Sequence, residues 1–447
     1  MIREKNKINR RSGALLILIY ALLLLMPRFS YALDAQREVM DNGLVVLHSE
    51  RDNLPIVQVT LLIKGSPLDE PADKGGLANL TARMLVEGTT ARTSEQISGE
   101  IEFVGGSIGA SADYDYTLVT LSVLKKDIDK GFALFSDIVL NPSFPNNELA
   151  NKKRLIRGEI RQSGEDPQYV AGRAFSEAVY GNHPYGRPVT GTIESIGNIS
   201  RKDLVDFHRA YYLPDNSILS VSGDLGISEL RQLIGKYLSK WKRGVVPARK
   251  QYTANSILSP KVIMIDKKIE QANIILGHIG IKRSNPDYYA VSVMNYILGG
   301  GGFSSRLMET IRDKMGLAYD VHSYFTVSKQ RGVFEVGVQT RNKTANRVVA
   351  EILKQIKRMQ NENVTGTELT DAISYLTGSF PRRLDTMAKF SRLLALVEFY
   401  GLGLDYDSSY MENVKKVTIA DVRRAAKKYL HPDKYVLVIV ADRKKVR

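Results

Sequence analysis

Two stretches of this chain carry one pattern, 218 residues apart. ISRKDLVDFHRAYYLPDNSILSVSGDL begins at Ile199, and VTIADVRRAAKKYLHPDKYVLVIVADR begins at Val417. Asp203, Tyr211, Pro214, Asp215 and Asp224 recur as Asp421, Tyr429, Pro432, Asp433 and Asp442. Each copy reads as an amphipathic helix, a tyrosine at its end, a Pro-Asp turn and a buried strand. Proline suits the position just past a helix because it cannot continue one. Glu148-Leu149 finds a second match in Glu368-Leu369, two residues off that register. Five coincidences in one ungapped stretch imply a duplicated unit of about two hundred residues. The fold expected is α+β. Two homologous halves each form a mixed or antiparallel sheet with helices packed on one face. The halves span 33–245 and 260–447, joined by a linker over 246–259.

The first 32 residues read as a targeting segment. Arg3, Lys5, Lys7, Arg10 and Arg11 precede the apolar run Ala14 to Met26, and Ser30-Tyr31-Ala32 places small residues at −3 and −1 of a cleavage site. The pattern is that of a secretory signal, and the run is short for a membrane span. An uncleaved anchor is the alternative. The chain has no cysteine, so it depends on no disulfide and can use no thiolate. An exported chain of this kind fits a bacterial periplasm. Of the formal charge of +15, five units belong to the presumed signal. The remaining basic residues are scattered without interleaved aromatics, which argues against a nucleic-acid partner. Peripheral association with an anionic membrane surface and a merely solvated face both stay open.

Along the chain, residues 40–64 predict paired strands: the Asp41-Asn42-Gly43 turn signal is followed by LVVLHSE and, after a break at Pro55, by VQVTLLIKG. Gly75 to Glu87 predicts a helix closed by Gly88, and a second helix starts near Ser94-Glu95. SIGASADYDYTLVTLSVL alternates as a strand or hairpin. Asp127 to Leu140 and Asn147 to Gly164 predict helices, and His183 to Thr192 a loop. In the second half, four glycines, Gly299 to Gly302, predict a pliable loop, because glycine weakens any helix or strand interior. Ser304 and Ser305 then stand where a helix can begin. Leu307, Ile311 and Met315 follow at helical spacing, Gly316 stops the run, and a strand starts near Ala318. Taken by itself, the stretch is also consistent with a solvated Arg312 and a Tyr319 in the core.

The segment LGGGGFSSRLMETIRDKMGLAYDVHSY resembles the pitrilysin/insulinase-type zinc peptidases, in the branch that includes mitochondrial processing peptidase. Gly75-Gly76-Leu77-Ala78, Gly105-Gly106, His183-Pro184-Tyr185-Gly186, Gln271 and Asn285-Pro286-Asp287-Tyr288-Tyr289 extend the resemblance over most of the chain. It implies that Arg312 grips substrate carbonyls and that Tyr319 supports the developing oxyanion, the type of contact that dominates acyl-transfer catalysis. It implies that Gly299, Gly300, Gly301, Gly302 and Phe303 line the substrate.

In active members of that family a helix carries H-x-x-E-H, with two histidines on one face for Zn²⁺ and a glutamate as general base. The matching positions here are Asn79, Ala82 and Arg83, and the distal ligand position is Glu159. Asparagine is a poor zinc ligand, arginine a fixed positive charge. No metal or cofactor is therefore expected in this chain. The six histidines, His48, His183, His208, His278, His322 and His431, have no partner histidine at ligand spacing, and no G-x-S-x-G elbow is present. The resemblance implies a non-catalytic subunit that pairs with a homologous zinc-motif chain, takes peptides or unfolded proteins as substrate, and is inactive alone, with the zinc in its partner. In active relatives the substrate adds as a strand at an edge that matches Ser107 to Asp113. A structural or peptide-binding protein of the same fold, with no peptidase role, is the alternative. A self-sufficient hydrolase with an unfamiliar site is a third.

Overall fold

The computed structural model describes residues 33–254 and 257–446. The presumed signal and its cleavage site lie outside them. The first half builds a six-stranded sheet from β1 (Gln36–Val39), β2 (Val45–Glu50), β3 (Ile56–Ile63), β4 (Ser107–Ala112), β5 (Thr117–Leu124) and β6 (Ser217–Gly223). Its order is β1-β2-β6-β3-β5-β4, with β2 and β6 parallel and every other pair antiparallel. The second half builds β7 (Lys261–Asp266), β8 (Gln271–Ile279), β9 (Ala318–Phe325), β10 (Val333–Arg341) and β11 (Val436–Ala441) in the order β7-β11-β8-β10-β9. Here too one pair, β7 with β11, is parallel. The two sheets share one topology, and β1 is an addition to the first.

The repeated residues have structural causes. Ser200 caps the Arg201–Tyr211 helix and Thr418 caps the Ile419–Tyr429 helix, with Asp203 and Asp421 returning the bond as the third helical residue. Each pair is a capping box. The strand after each helix, β6 or β11, is fully buried and enters its sheet beside the half's first long strand.

That insertion corrects one expectation. Residues 40–64 do not pair as neighbours: β2 pairs with β1 across the Asp41-Asn42-Gly43 turn, and β6 lies between β2 and β3. The late strand is buried along its whole length, on both faces, and takes the central lane between its half's two earlier strands. The helix near Ser94 is capped by Thr93, not Ser94, with Gln96 completing the box.

Each half packs its own helices on one face of its sheet. The other face is buried as well, in the first half with Gln58, Thr60 and Ser220 among its apolar residues, and it is covered by a helix from the opposite half. Met387–Tyr400, from the second half, lies on β3 and β6, where Ser391 Oγ meets Thr60 Oγ1 at 3.0 Å and the Ser220 carbonyl at 3.1 Å. Pro167–Tyr180, from the first half, lies on β8 and β11, and Phe175 and Val179 join Ile275, Val436 and Val438 in one apolar cluster. A one-face arrangement would have left these strands bare, and the exchange removes that cost.

Candidate substrate-assisting site and the altered metal helix

The glycine run is more ordered than a pliable loop. Tyr296–Gly300 forms a π-helical turn, closed by Gly301 N–H donating to the Tyr296 carbonyl at 2.8 Å. Glycine is needed there for close packing. A Cβ on Gly299 would stand 2.6 Å from Ser323 Oγ on β9, and one on Gly301 would stand 2.8 Å from the Tyr296 ring. Gly302 takes φ +57°, the left-handed turn that releases the chain into Phe303. Asn295 then ties the turn to β9, donating to the Ser323 carbonyl at 3.0 Å and accepting from Ser323 Oγ at 2.9 Å.

Ser305 starts the next element, and Arg306 behind it is 3% exposed and held by Glu368 through two bonds of 2.6 and 2.9 Å. The helix that follows is wound as a π-helix over Met308–Lys314, with Leu307, Met308 and Ile311 buried. π-turns are rare and concentrate at functional sites. Gly316, at φ +59°, reverses the chain into β9.

β9 is an edge strand. Its register against β10 slips between Val338 and Thr340, so that Tyr319 and Asp320 together oppose Gln339. Such a bulge re-aims a side chain. Tyr319 is 86% exposed and Phe303 69% exposed, and the Arg312 guanidinium sits between them, 4.6 Å from the Phe303 ring centroid and 5.6 Å from that of Tyr319. Arg312 Nη1 also donates to Asp313 at 2.9 Å. The core alternative for Tyr319 is thereby corrected, because the bulge turns its side chain outward. Arg312, Tyr319 and Phe303 form one open, amphipathic group beside the glycine run.

The helix that would carry the metal motif, Leu77–Met84, faces the Asn146–Glu165 helix. Arg83 donates to Glu159 through both ends of its fork, at 2.7 and 2.8 Å. The bidentate bond holds the Glu159 carboxyl below its usual range and raises the Arg83 guanidinium. Asn79 is buried with an amide nitrogen that has no partner, and Ala82 offers no ligand atom. These residues do not fit Zn²⁺. A fixed cation already neutralises the remaining carboxylate, and the orphaned atom at Asn79 is a donor. Among the described residues no three of His, Cys, Asp and Glu converge.

One constellation escaped sequence reasoning. On β9 the His322 ring bonds Asp320 at 2.7 Å through Nδ1 and the Tyr324 hydroxyl at 2.8 Å through Nε2. Searching for partner histidines overlooked the acid and phenol two residues to either side, a spacing that shares one face of a strand. Four of the other histidines are tied to the backbone. His48 meets the Leu225 carbonyl, His208 the Val139 carbonyl and His278 the Ile279 carbonyl, and His183 accepts from the Tyr185 N–H.

Comparison with known proteins bears on the fold and the family. Residues 45–193 match the model of the insulinase family, peptidase family M16, and residues 198–376 match that of the peptidase M16 inactive domain. A solved structure described as the peptidase M16 inactive domain from Pseudomonas fluorescens superposes with a TM-score of 0.85 at 29% identity, covering 93% of this chain and all of that one. An uncharacterized zinc protease of Rickettsia bellii is 28% identical over 394 residues, 87% of this chain and 93% of its own length. A protein of Helicobacter pylori called a non-peptidase homolog is 27% identical over 412 residues, 92% of this chain and 94% of its own. This chain belongs to the insulinase (M16) peptidase family, as a member that lacks the catalytic zinc motif.

Proposed function

We propose that this chain is the non-catalytic subunit of a heteromeric periplasmic zinc peptidase acting on peptides or unfolded proteins. One observation carries the proposal: Arg312, Tyr319 and Phe303 stand together and open to solvent while the metal helix is closed by Arg83 and Glu159. The chain can hold and polarise a peptide that another chain attacks. The Arg312 guanidinium would take a substrate carbonyl, and the Tyr319 hydroxyl would donate to the oxygen that gains charge during attack by a zinc-bound water of the partner. Main-chain bonds to a free sheet edge would add affinity with little sequence demand. The periplasmic setting rests on the charged and apolar pattern of the first 32 residues, and the basic excess suits contact with anionic lipid.

A second function, peptide binding or a structural role without any peptidase partner, is favoured by the bond that already occupies Arg312, to Asp313. The name of the Helicobacter pylori relative points the same way.

Mixing experiments separate the two. The chain is purified alone, with a homologous H-x-x-E-H chain, and as the mixture, and peptide cleavage is measured in each. Cleavage is expected in the mixture alone. Tyr319→Phe and Arg312→Ala should each lower turnover on the order of ten- to a thousandfold, the scale for removing a transition-state donor. Melting temperatures should hardly move, since Tyr319 is exposed and surface changes cost within about 0.5 kcal/mol. Full turnover in both variants would leave the second function standing.

A further inference from the structure

Between the two halves lies a cavity of about 300 Å³ that the assisting site does not use. Its wall brings Arg283 and Arg383 together with Tyr116, Tyr288, Tyr400 and Tyr406. Arg283 is only 8% exposed. Its Nη2 donates to the Tyr406 hydroxyl at 2.9 Å, and its guanidinium carbon lies 3.9 Å from the Tyr288 ring centroid. Arg383 reaches the Tyr410 hydroxyl at 3.4 Å. Among the described residues neither arginine forms an ion pair.

Two acids share the wall, and both are committed elsewhere. Asp113 accepts from the Tyr116 hydroxyl and the Tyr114 N–H and stands 3.9 Å from Arg392. Asp115 accepts from the Tyr185 hydroxyl, the Lys329 N–H and the Tyr400 hydroxyl. Arg383 is exposed to solvent, but Arg283 is buried, and a buried guanidinium without an anion is costly; proteins retain such a charge when it is paired or when it serves a ligand.

The cavity is not isolated. Tyr288, Val327 and Arg383 also line a second cavity of about 200 Å³, whose far side includes Gly300 and Tyr324. The two cavities thus share a wall on the way from the glycine run to Arg283. We infer that Arg283 and Arg383 form a carboxylate-binding subsite for a peptide ligand, receiving either its C-terminal carboxylate or an acidic side chain. The planar fork of arginine matches a carboxylate bidentately. The volume is at the small end for ligand pockets, enough for a chain end or one side chain. The inference rests on the proposed peptide binding for the nature of the ligand, and it needs no partner subunit.

Calorimetric titration of the full chain tests it with three probes: acetyl-Ala-Ala-Ala as the free acid, acetyl-Ala-Ala-Glu-amide, and acetyl-Ala-Ala-Gln-amide. At least one carboxylate probe should bind about ten- to a hundredfold more tightly than the Gln amide. The probe that gains identifies the C-terminus or the side chain as the source. Arg283→Gln and Arg383→Gln should each abolish the gain, with thermal melting confirming the fold. If Arg283→Gln does not fold, Arg383→Gln decides alone. Equal affinity for all three probes overturns the subsite, as does a gain that survives substitution. Failure of every probe to bind overturns it too, whereas the assisting role is decided separately by cleavage in the mixture.

Discussion

Arg83 and Arg306 make the same bidentate contact with a glutamate, and burial separates their consequences. The Arg83–Glu159 pair is partly solvated on both sides, with side chains 26% and 49% exposed, so its loss should cost about 1 kcal/mol or less. Arg306 is almost sealed, and removing it strands Glu368 in a half-buried site. Urea denaturation should therefore show Arg83→Ala near the parent and Arg306→Ala lower by about 3–5 kcal/mol. The spacing of Arg312 and Tyr319 was legible in the sequence because one short helix and one turn separate them. The pairing of Arg83 with Glu159 was not, since the residues lie 76 apart on different helices. Arg283 was equally hidden: in sequence it is one more loop cation, and only the fold removes its water.

At the level of elements, the start of the Leu77–Met84 helix depends on an acid that local pattern does not mark. Glu70 accepts from the Gly76 N–H at 3.0 Å and the Ala78 N–H at 2.8 Å, satisfying donors at the helix start. Burial nevertheless pushes its carboxyl up to about 7, against those two bonds. A carboxyl raised by folding favours the protonated native state. Its contribution is full below the unfolded value of 4.5 and is lost as pH rises through about 7, on the order of 2–3 kcal/mol. Melting temperatures measured from pH 5 to pH 8 should fall more steeply for the parent than for Glu70→Gln.

The glycine run offers a second check on the elements. Gly299→Ala forces a Cβ against Ser323 and Leu307 and should cost about 1–3 kcal/mol by overpacking. In the mixture it should also lower turnover, because β9 carries Tyr319. Four glycines announced a break, but the π-turn depends on what packs against it, and no short window contains Ser323. Likewise the turn signal and the apolar runs after it marked β2 and β3 as strands, whereas the lane between them was claimed by a segment some 150 residues later.

On the scale of the whole molecule, the duplication was the most legible feature. Matching residues anticipated matching strands, and both sheets have one order. The exchange of helices was not legible, because a helix that covers its own sheet and one that covers its neighbour's show the same amphipathic spacing. Its energetic meaning is testable. Residues 33–245 expressed alone lack the Met387–Tyr400 helix, which leaves Leu47, Leu62 and Ile218 uncovered. That fragment should aggregate or bind hydrophobic dyes, while the full chain should unfold in one transition by calorimetry. Two resolved transitions in the full chain would show that the halves are independent.

The bond between Thr60 and Ser391 spans 331 positions. During synthesis, Thr60 emerges with its sheet long before the roof for that sheet has been made. For that whole interval Leu47, Leu62 and Ile218, with Thr60 and Ser220 beside them, face the solvent with nothing native to meet them. A cell that makes this protein has to shelter the growing chain, so its yield is tied to holding chaperones as closely as to its own stability.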